Sequence, residues 1–335
     1  MFALLMKACQ KEQSFLDAKV MPRVYNMPRP IAEVIPSNWS TNDATEFLHG
    51  TIPHYMLGSN DKMTKEITDA VLLMNHADTL GSIMKFDISE ETRNAIMIRT
   101  QEYEQLLANG EIVPEAIQLL IPYMHVILAL TDRYAAICMN PPYMGSGRFD
   151  SVLSKYVKDN YEEGKTDLFS VFMLLAIDRL LPNGKYGMIN MQSWMFLSSF
   201  EKLRTRLLTE NRIDNMLHLG PRTFDELSGE VVQNTTFVIT NYKDKDATGS
   251  YYRLVDGKNC GDKERIFLEA KENDGNRIYY PNVSQQDFEK IPGCPIGYWV
   301  SSLVQQVFAD NKPLSDSVKS CVGLQTGDND KFIHN

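Results

Sequence analysis

The tetrapeptide Asn140-Pro141-Pro142-Tyr143 brings together residue types that can act on a planar aromatic amine. The lone pair of such an amine, for example N6 of adenine, is delocalised into the ring and is a poor nucleophile. The side-chain carbonyl of Asn140 and the backbone carbonyl of Pro141 are both acceptors, and two consecutive prolines hold them in a fixed relation. Two acceptors on the two N–H groups return electron density to nitrogen, and the amine then attacks an electrophilic methyl. Tyr143 offers a flat face on which a base taken out of its duplex can stack.

Those side chains need an element to present them. The run Tyr134 to Met139 is mostly apolar and reads as a buried strand, ended by prolines that have no N–H for a neighbouring strand. Asn140 then sits at a strand's carboxyl end, where open α/β sheets bind ligands. Beyond the flexible Met144-Gly145-Ser146-Gly147, the stretch Asp167 to Leu181 carries Leu168, Phe169, Phe172, Leu175, Ile177 and Leu180 as a helical apolar stripe. Pro182-Asn183-Gly184 is expected to stop that helix, with a strand from Tyr186 to Met191.

The succession of Asn140-Pro141-Pro142-Tyr143, Lys165-Thr166-Asp167-Leu168-Phe169 and Leu181 to Ile189 resembles the catalytic half of the gamma-class N6-adenine DNA methyltransferases. The resemblance is closest to the BREX-type and type IIG adenine-specific enzymes, and it runs as far as Val322 to Asn329. It implies S-adenosylmethionine as cofactor and a partial Rossmann-like methyltransferase α/β fold with a helical insertion and a small C-terminal α+β extension. It implies catalytic roles for Asn140, Pro141, Pro142 and Tyr143, with Lys165 and Asp167 lining the cofactor or base pocket. Gly220 to Phe224 resembles the loop whose aromatic stacks on the base's other face, and a base between Tyr143 and Phe224 would gain ~1–3 kcal/mol per stacking face. From the residues alone, Phe224 is equally readable as core filler.

Composition sets outer limits. The chain of 335 residues is 43% hydrophobic and 23% charged, as globular proteins are. Its five cysteines, at positions 9, 138, 260, 294 and 321, have neither metal spacing nor a disulfide framework, which suits a reducing cytoplasm. No metal site is expected. The net charge of −9 runs against phosphate contacts. Lys202, Arg204, Arg206, Arg212 and Arg222 offer a local basic stretch, for which a solvated helix face is the plainer reading.

Met1 to Ala8 begins inside an apolar helix pattern without a cap, and neither the Gly-rich cofactor loop nor the ribose-binding acid of the resembled family precedes it; a chain truncated upstream is the expectation. Residues 22 to 75 are polar and proline-punctuated, with a helix from Asp61 to Met74. Ser89 caps a helix toward Asn109, and Pro114 to Asp132 forms a core helix too short and too interrupted to span a membrane. His125 on it reads as a packed core histidine. Strands are expected at Ile213 to Leu219 and Val231 to Thr240, then a small layer with strands near Tyr251 and Tyr279.

The chain therefore divides into a helical segment with insertion (1–133), a catalytic core (134–242) and a C-terminal extension (243–335) leading toward a target-recognition domain. The expected activity is methyl transfer to N6 of a flipped adenine in phage defence or restriction-modification. The expected partners are double-stranded DNA, other defence-system subunits and the missing N-terminal part. Two alternatives stay open: an inactive or split-enzyme fragment that binds DNA or a partner, and a protein glutamine methyltransferase, which also uses Asn-Pro-Pro-Tyr.

Overall fold

Side-chain caps decide where most of the longer helices begin. Asp43 accepts from the Glu46 N–H and opens α1 (Ala44–Tyr55), and Asn60 accepts from Met63 N–H at α2 (Asp61–Leu73). Ser89 does the same for α3 (Glu90–Ala108), which carries Glu90 and Glu91 in its first turn where the helix dipole favours acids. α4 (Glu115–Thr131) starts on Pro114 and runs through Pro122 without stopping. Asp150 caps α5 (Ser151–Asn160) and Asp167 caps α6 (Leu168–Arg179).

The computed structural model describes residues 23–39, 43–58, 60–224, 232–242, 246–272, 277–312 and 316–318. The expectations for Met1 to Ala8 and for Val322 to Asn329 lie outside the described residues. Two units are distinguished, one of residues 1–135 and 144–181 and one of residues 136–143 and 182–335.

The first unit is helical. Its core is built from Leu48, Ile52 and Tyr55 of α1, Ile67 and Val71 of α2, Ile96 of α3, and Leu120, Met124 and Ile127 of α4, all buried. The buried phenol of Tyr55 meets the Thr100 hydroxyl at 2.9 Å, so that side chain is not left unsatisfied. Residues 83–85 are tied to α5 and α6: Lys85 N–H donates to Tyr156 Oη at 2.7 Å, Arg179 donates to Met84 O at 3.0 Å, and Lys85 pairs with Asp178 at 2.7 Å. His125 is half-exposed and bonds Glu104 at 2.9 Å, so it is not the core histidine expected from the apolar pattern. α1, with Pro53 inside it, was hidden by the proline-punctuated text. No described helix is long and apolar enough to cross a membrane.

The second unit carries a mixed sheet of six described strands: β1 (Tyr134–Met139), β2 (Leu180–Met191), β3 (Arg212–Gly220), β4 (Asn234–Thr240), β5 (Thr248–Arg253) and β6 (Tyr279–Ser284). They lie in the order β1-β2-β4-β3-β5-β6. β4 is antiparallel to both β2 and β3, with Met188 and Met216 opposite Phe237, while β3 and β5 are parallel. α7 (Glu201–Glu210), α8 (Cys260–Glu272) and α9 (Ser302–Asp310) are the unit's α-helices among the described residues. The chain is thus mixed α/β.

Three local readings change. β1 forms where the sequence placed it, but its residues are exposed or half-exposed rather than buried, because it stands at the end of the sheet order with β2 as its neighbour. Pro182-Asn183-Gly184 does not end α6; the helix stops at Arg179 and passes straight into β2, with Asn183 at a φ of 63°. Arg204 belongs to no basic face. It is 1% exposed, and its guanidinium donates to Trp194 O at 2.9 Å, Leu197 O at 2.7 Å and Gly293 O at 2.7 and 3.0 Å. Arg206 and Arg212 are paired with Glu210 and Asp214.

Candidate active site

The end of β1 delivers Asn140 as expected: Asn140 and Pro142 are exposed, Pro141 is buried and Tyr143 is half-buried. A buried proline between two exposed neighbours anchors the backbone, while the carboxamide before it faces solvent. The Tyr143 phenol is held on β2 and β4. Its oxygen accepts from Asn234 Nδ2 at 3.1 Å and donates to Ile189 O at 3.4 Å. Burial pushes its pKa up, opposed by the bond from Asn234, so the phenol stays protonated.

Asn234 is fully buried at the first position of β4, and its second amide hydrogen goes to Asn190 O at 3.2 Å. Asn190, also fully buried, accepts from the Thr235 hydroxyl at 3.2 Å, and Thr235 accepts from Trp194 Nε1 at 3.4 Å. His218, Gln192 and Gln233 form a second polar chain in this part of the sheet. Gln192 Nε2 donates to Gln233 Oε1, and His218 Nε2 lies 2.6 Å from Gln192 Oε1. None of these residues was singled out from sequence. The signal that was there is a run of amide and hydroxyl side chains, Gln233-Asn234-Thr235, at the start of a strand whose later positions are mostly apolar.

Phe224 stands in the loop after β3 and is 38% exposed, so the core-filler reading fails. The root of that loop is tied by hydrogen bonds. Lys263, 3% exposed, donates to Leu219 O at 2.7 Å and Leu254 O at 2.8 Å, and Thr223 Oγ1 donates to Gly220 O at 3.0 Å. Gly220 has a φ of 67°, and a Cβ there would stand 3.0 Å from Val255, so the turn needs glycine on both counts.

Lys165 and Asp167 lie in the helical unit. Lys165 is solvent-facing and 3.4 Å from Glu162. Asp167 fixes the backbone that leaves the tetrapeptide: its Oδ1 accepts from Met144 N–H at 3.1 Å and Phe169 N–H at 3.2 Å, while Met144 O accepts from Leu168 N–H at 2.9 Å. Burial pushes its carboxyl pKa up against these backbone bonds.

The exposed Asn140 and the carbonyl of Pro141 suit an exocyclic amine as their ligand. A nucleoside-bearing methyl donor would also need a glycine cradle and a ribose-binding carboxylate. At the two glycines after the tetrapeptide, a Cβ at Gly147 would meet only open space, and one at Gly145 would lie 3.7 Å from Asp167 Oδ2. Acceptor oxygens are thus in place at Asn140 and Pro141, and no donor cradle is identified among the described residues.

Residues 58–224 match the Eco57I restriction-modification methylase family. The chain is 35% identical to the adenine-specific methyltransferase BrxX of Escherichia coli O9:H4 (strain HS) over 90% of its own length and 25% of that protein's. It is 32% identical to the adenine-specific methyltransferase PglX of Lacticaseibacillus casei (strain Zhang), over 99% and 26%. The chain thus spans about a quarter of the length of these curated relatives. A type I restriction-modification methyltransferase subunit from Streptococcus thermophilus aligns with 56% of the chain and 47% of its own, at 15% identity and a TM-score of 0.37. The likeness to the Eco57I restriction-modification methylase family thus rests on residues 58–224, just under half of the chain, and the curated relatives extend the similarity over nearly all of it.

Proposed function

We propose that this chain carries the adenine-pocket half of a DNA N6-adenine methyltransferase of phage defence or restriction-modification, acting on double-stranded DNA. The observation that carries the reading is the tetrapeptide itself: an exposed Asn140 at a strand end, a buried Pro141 behind it and a Tyr143 ring whose hydroxyl is tied to the sheet. Asn140 Oδ1 and Pro141 O accept the two N6 hydrogens of a flipped adenine and draw its nitrogen toward tetrahedral geometry. Tyr143 and Phe224 stack on the base, and Asp167 keeps the exit of the tetrapeptide fixed. S-adenosylmethionine, held by the complete enzyme, supplies an electrophilic methyl. The N6 proton leaves only after the nitrogen has become cationic, so no residue of this chain needs a shifted pKa to remove it beforehand. The acidic balance of the chain is consistent with DNA affinity residing largely in other parts of the full-length enzyme or its partner subunits.

The test is Asn140→Ala in the full-length enzyme, followed by methyl incorporation into duplex DNA and by calorimetric titration with S-adenosylmethionine. Loss of methylation with donor binding retained is the expected result; methylation at the parent rate defeats the reading.

A further inference from the structure

The buried Asn234 carries more of the site's geometry than a strand residue needs to. Its carboxamide has two hydrogens, and both are spent on residues that frame the site: one on Tyr143 Oη at 3.1 Å, the other on the backbone carbonyl of Asn190 at 3.2 Å. Asn190 O can only accept, so the amide nitrogen must face it and the orientation of the group is fixed. The Tyr143 hydroxyl thereby accepts from Asn234, and Ile189 O, 3.4 Å away, accepts from it in turn. Asn234 Oδ1 is buried with no hydrogen-bond partner among the described residues. A buried amide oxygen left unsatisfied costs stability.

We infer that Asn234 is a positioning residue for base stacking: it clamps the Tyr143 ring to the β2–β4 strand pair and sets the plane on which the target adenine lies. The inference rests on the reading of Tyr143 as a stacking residue. It predicts that the hydroxyl of Tyr143 matters although it touches no reacting atom, because the hydroxyl is the handle by which the ring is held.

The experiment uses two readouts. The protein is grown with 3-fluorotyrosine, and the Tyr143 signal in its fluorine NMR spectrum is identified by its disappearance in Tyr143→Phe. In Asn234→Ala that signal is expected to move and broaden while the other tyrosine signals stay. Asn234→Asp, which keeps the shape and removes the donors, serves if the alanine variant does not fold. In the full-length enzyme, Tyr143→Phe is expected to lower kcat about three- to tenfold, the worth of one hydrogen bond, with KM for S-adenosylmethionine unchanged. An unmoved Tyr143 signal in a folded Asn234 variant, or a Tyr143→Phe enzyme at full kcat, overturns the inference. Tyr143→Ala separates the two levels: if it methylates normally the stacking reading falls, whereas its loss beside a fully active Tyr143→Phe overturns the clamp alone.

Discussion

His218 Nε2 lies 2.6 Å from Gln192 Oε1, and because that oxygen can only accept, the ring proton sits on Nε2. Nδ1, 3.0 Å from Tyr298 Oη, is then the acceptor, and the ring is neutral with both nitrogens satisfied. Burial, with Arg253 and Lys263 adding positive charge nearby, pushes its pKa down to about 4 from an ordinary value of 6.5. The unfolded chain takes up the proton first, so the neutral ring stabilises the fold fully above about pH 6.5, and that contribution is lost as the pH falls toward 4. The difference is on the order of 3 kcal/mol at most. Denaturant titrations of the parent and of His218→Gln across this window should show a gap in stability that narrows as the solution is acidified; parallel pH profiles would contradict the assignment.

Among the described residues, Arg204 makes its hydrogen bonds to carbonyls, at Trp194, Leu197 and Gly293. It therefore holds the turn after β2 against the loop around residue 293. Arg204→Ala should cost about 3–5 kcal/mol in urea unfolding, since it strands several buried carbonyls at once. Arg204→Lys should recover little, because an ammonium cannot span the same fork of acceptors.

Asp167→Ala removes the cap of α6 and the acceptor of Met144 N–H together. A loss of about 1–2 kcal/mol is expected from the cap. Asp167→Asn keeps an oxygen in the same place and should stay close to the parent. Thermal unfolding of both variants decides; equal losses would mean that charge, rather than an acceptor, is what the position needs.

Phe224 should behave in the opposite way to a core aromatic. Phe224→Ala is expected to leave the unfolding midpoint near the parent's, since the ring is already 38% exposed. In the full-length enzyme it should weaken the hold on an extrahelical base by ~1–3 kcal/mol. Fluorescence of duplexes carrying 2-aminopurine at the target position would report that change, and Phe224→Trp should preserve the stacking.

Of the helix caps, the sequence by itself marked Ser89 at the start of α3, while α1 with Asp43 and α5 with Asp150 emerged only in the structure. Asp43, Asn60, Ser89, Asp150 and Asp167 each satisfy amide groups that no helix can satisfy internally, and that requirement is local. The sequence also marked the Asn-Pro-Pro-Tyr stretch as a strand end, because prolines and an apolar run state that without any long-range contact. Only the tertiary structure decided which polar residues are turned inward. Asn234 meets Tyr143 across 91 residues, Gln192 meets His218 across 26, and Arg204 meets Gly293 across 89. Hydrogen bonds between strands and loops so far apart follow from sheet order and register, which periodicity does not encode. For the same reason Arg204 reads in sequence as a surface charge and β1 as a buried strand: burial depends on which neighbours the sheet order gives each element, whatever its own residues prefer.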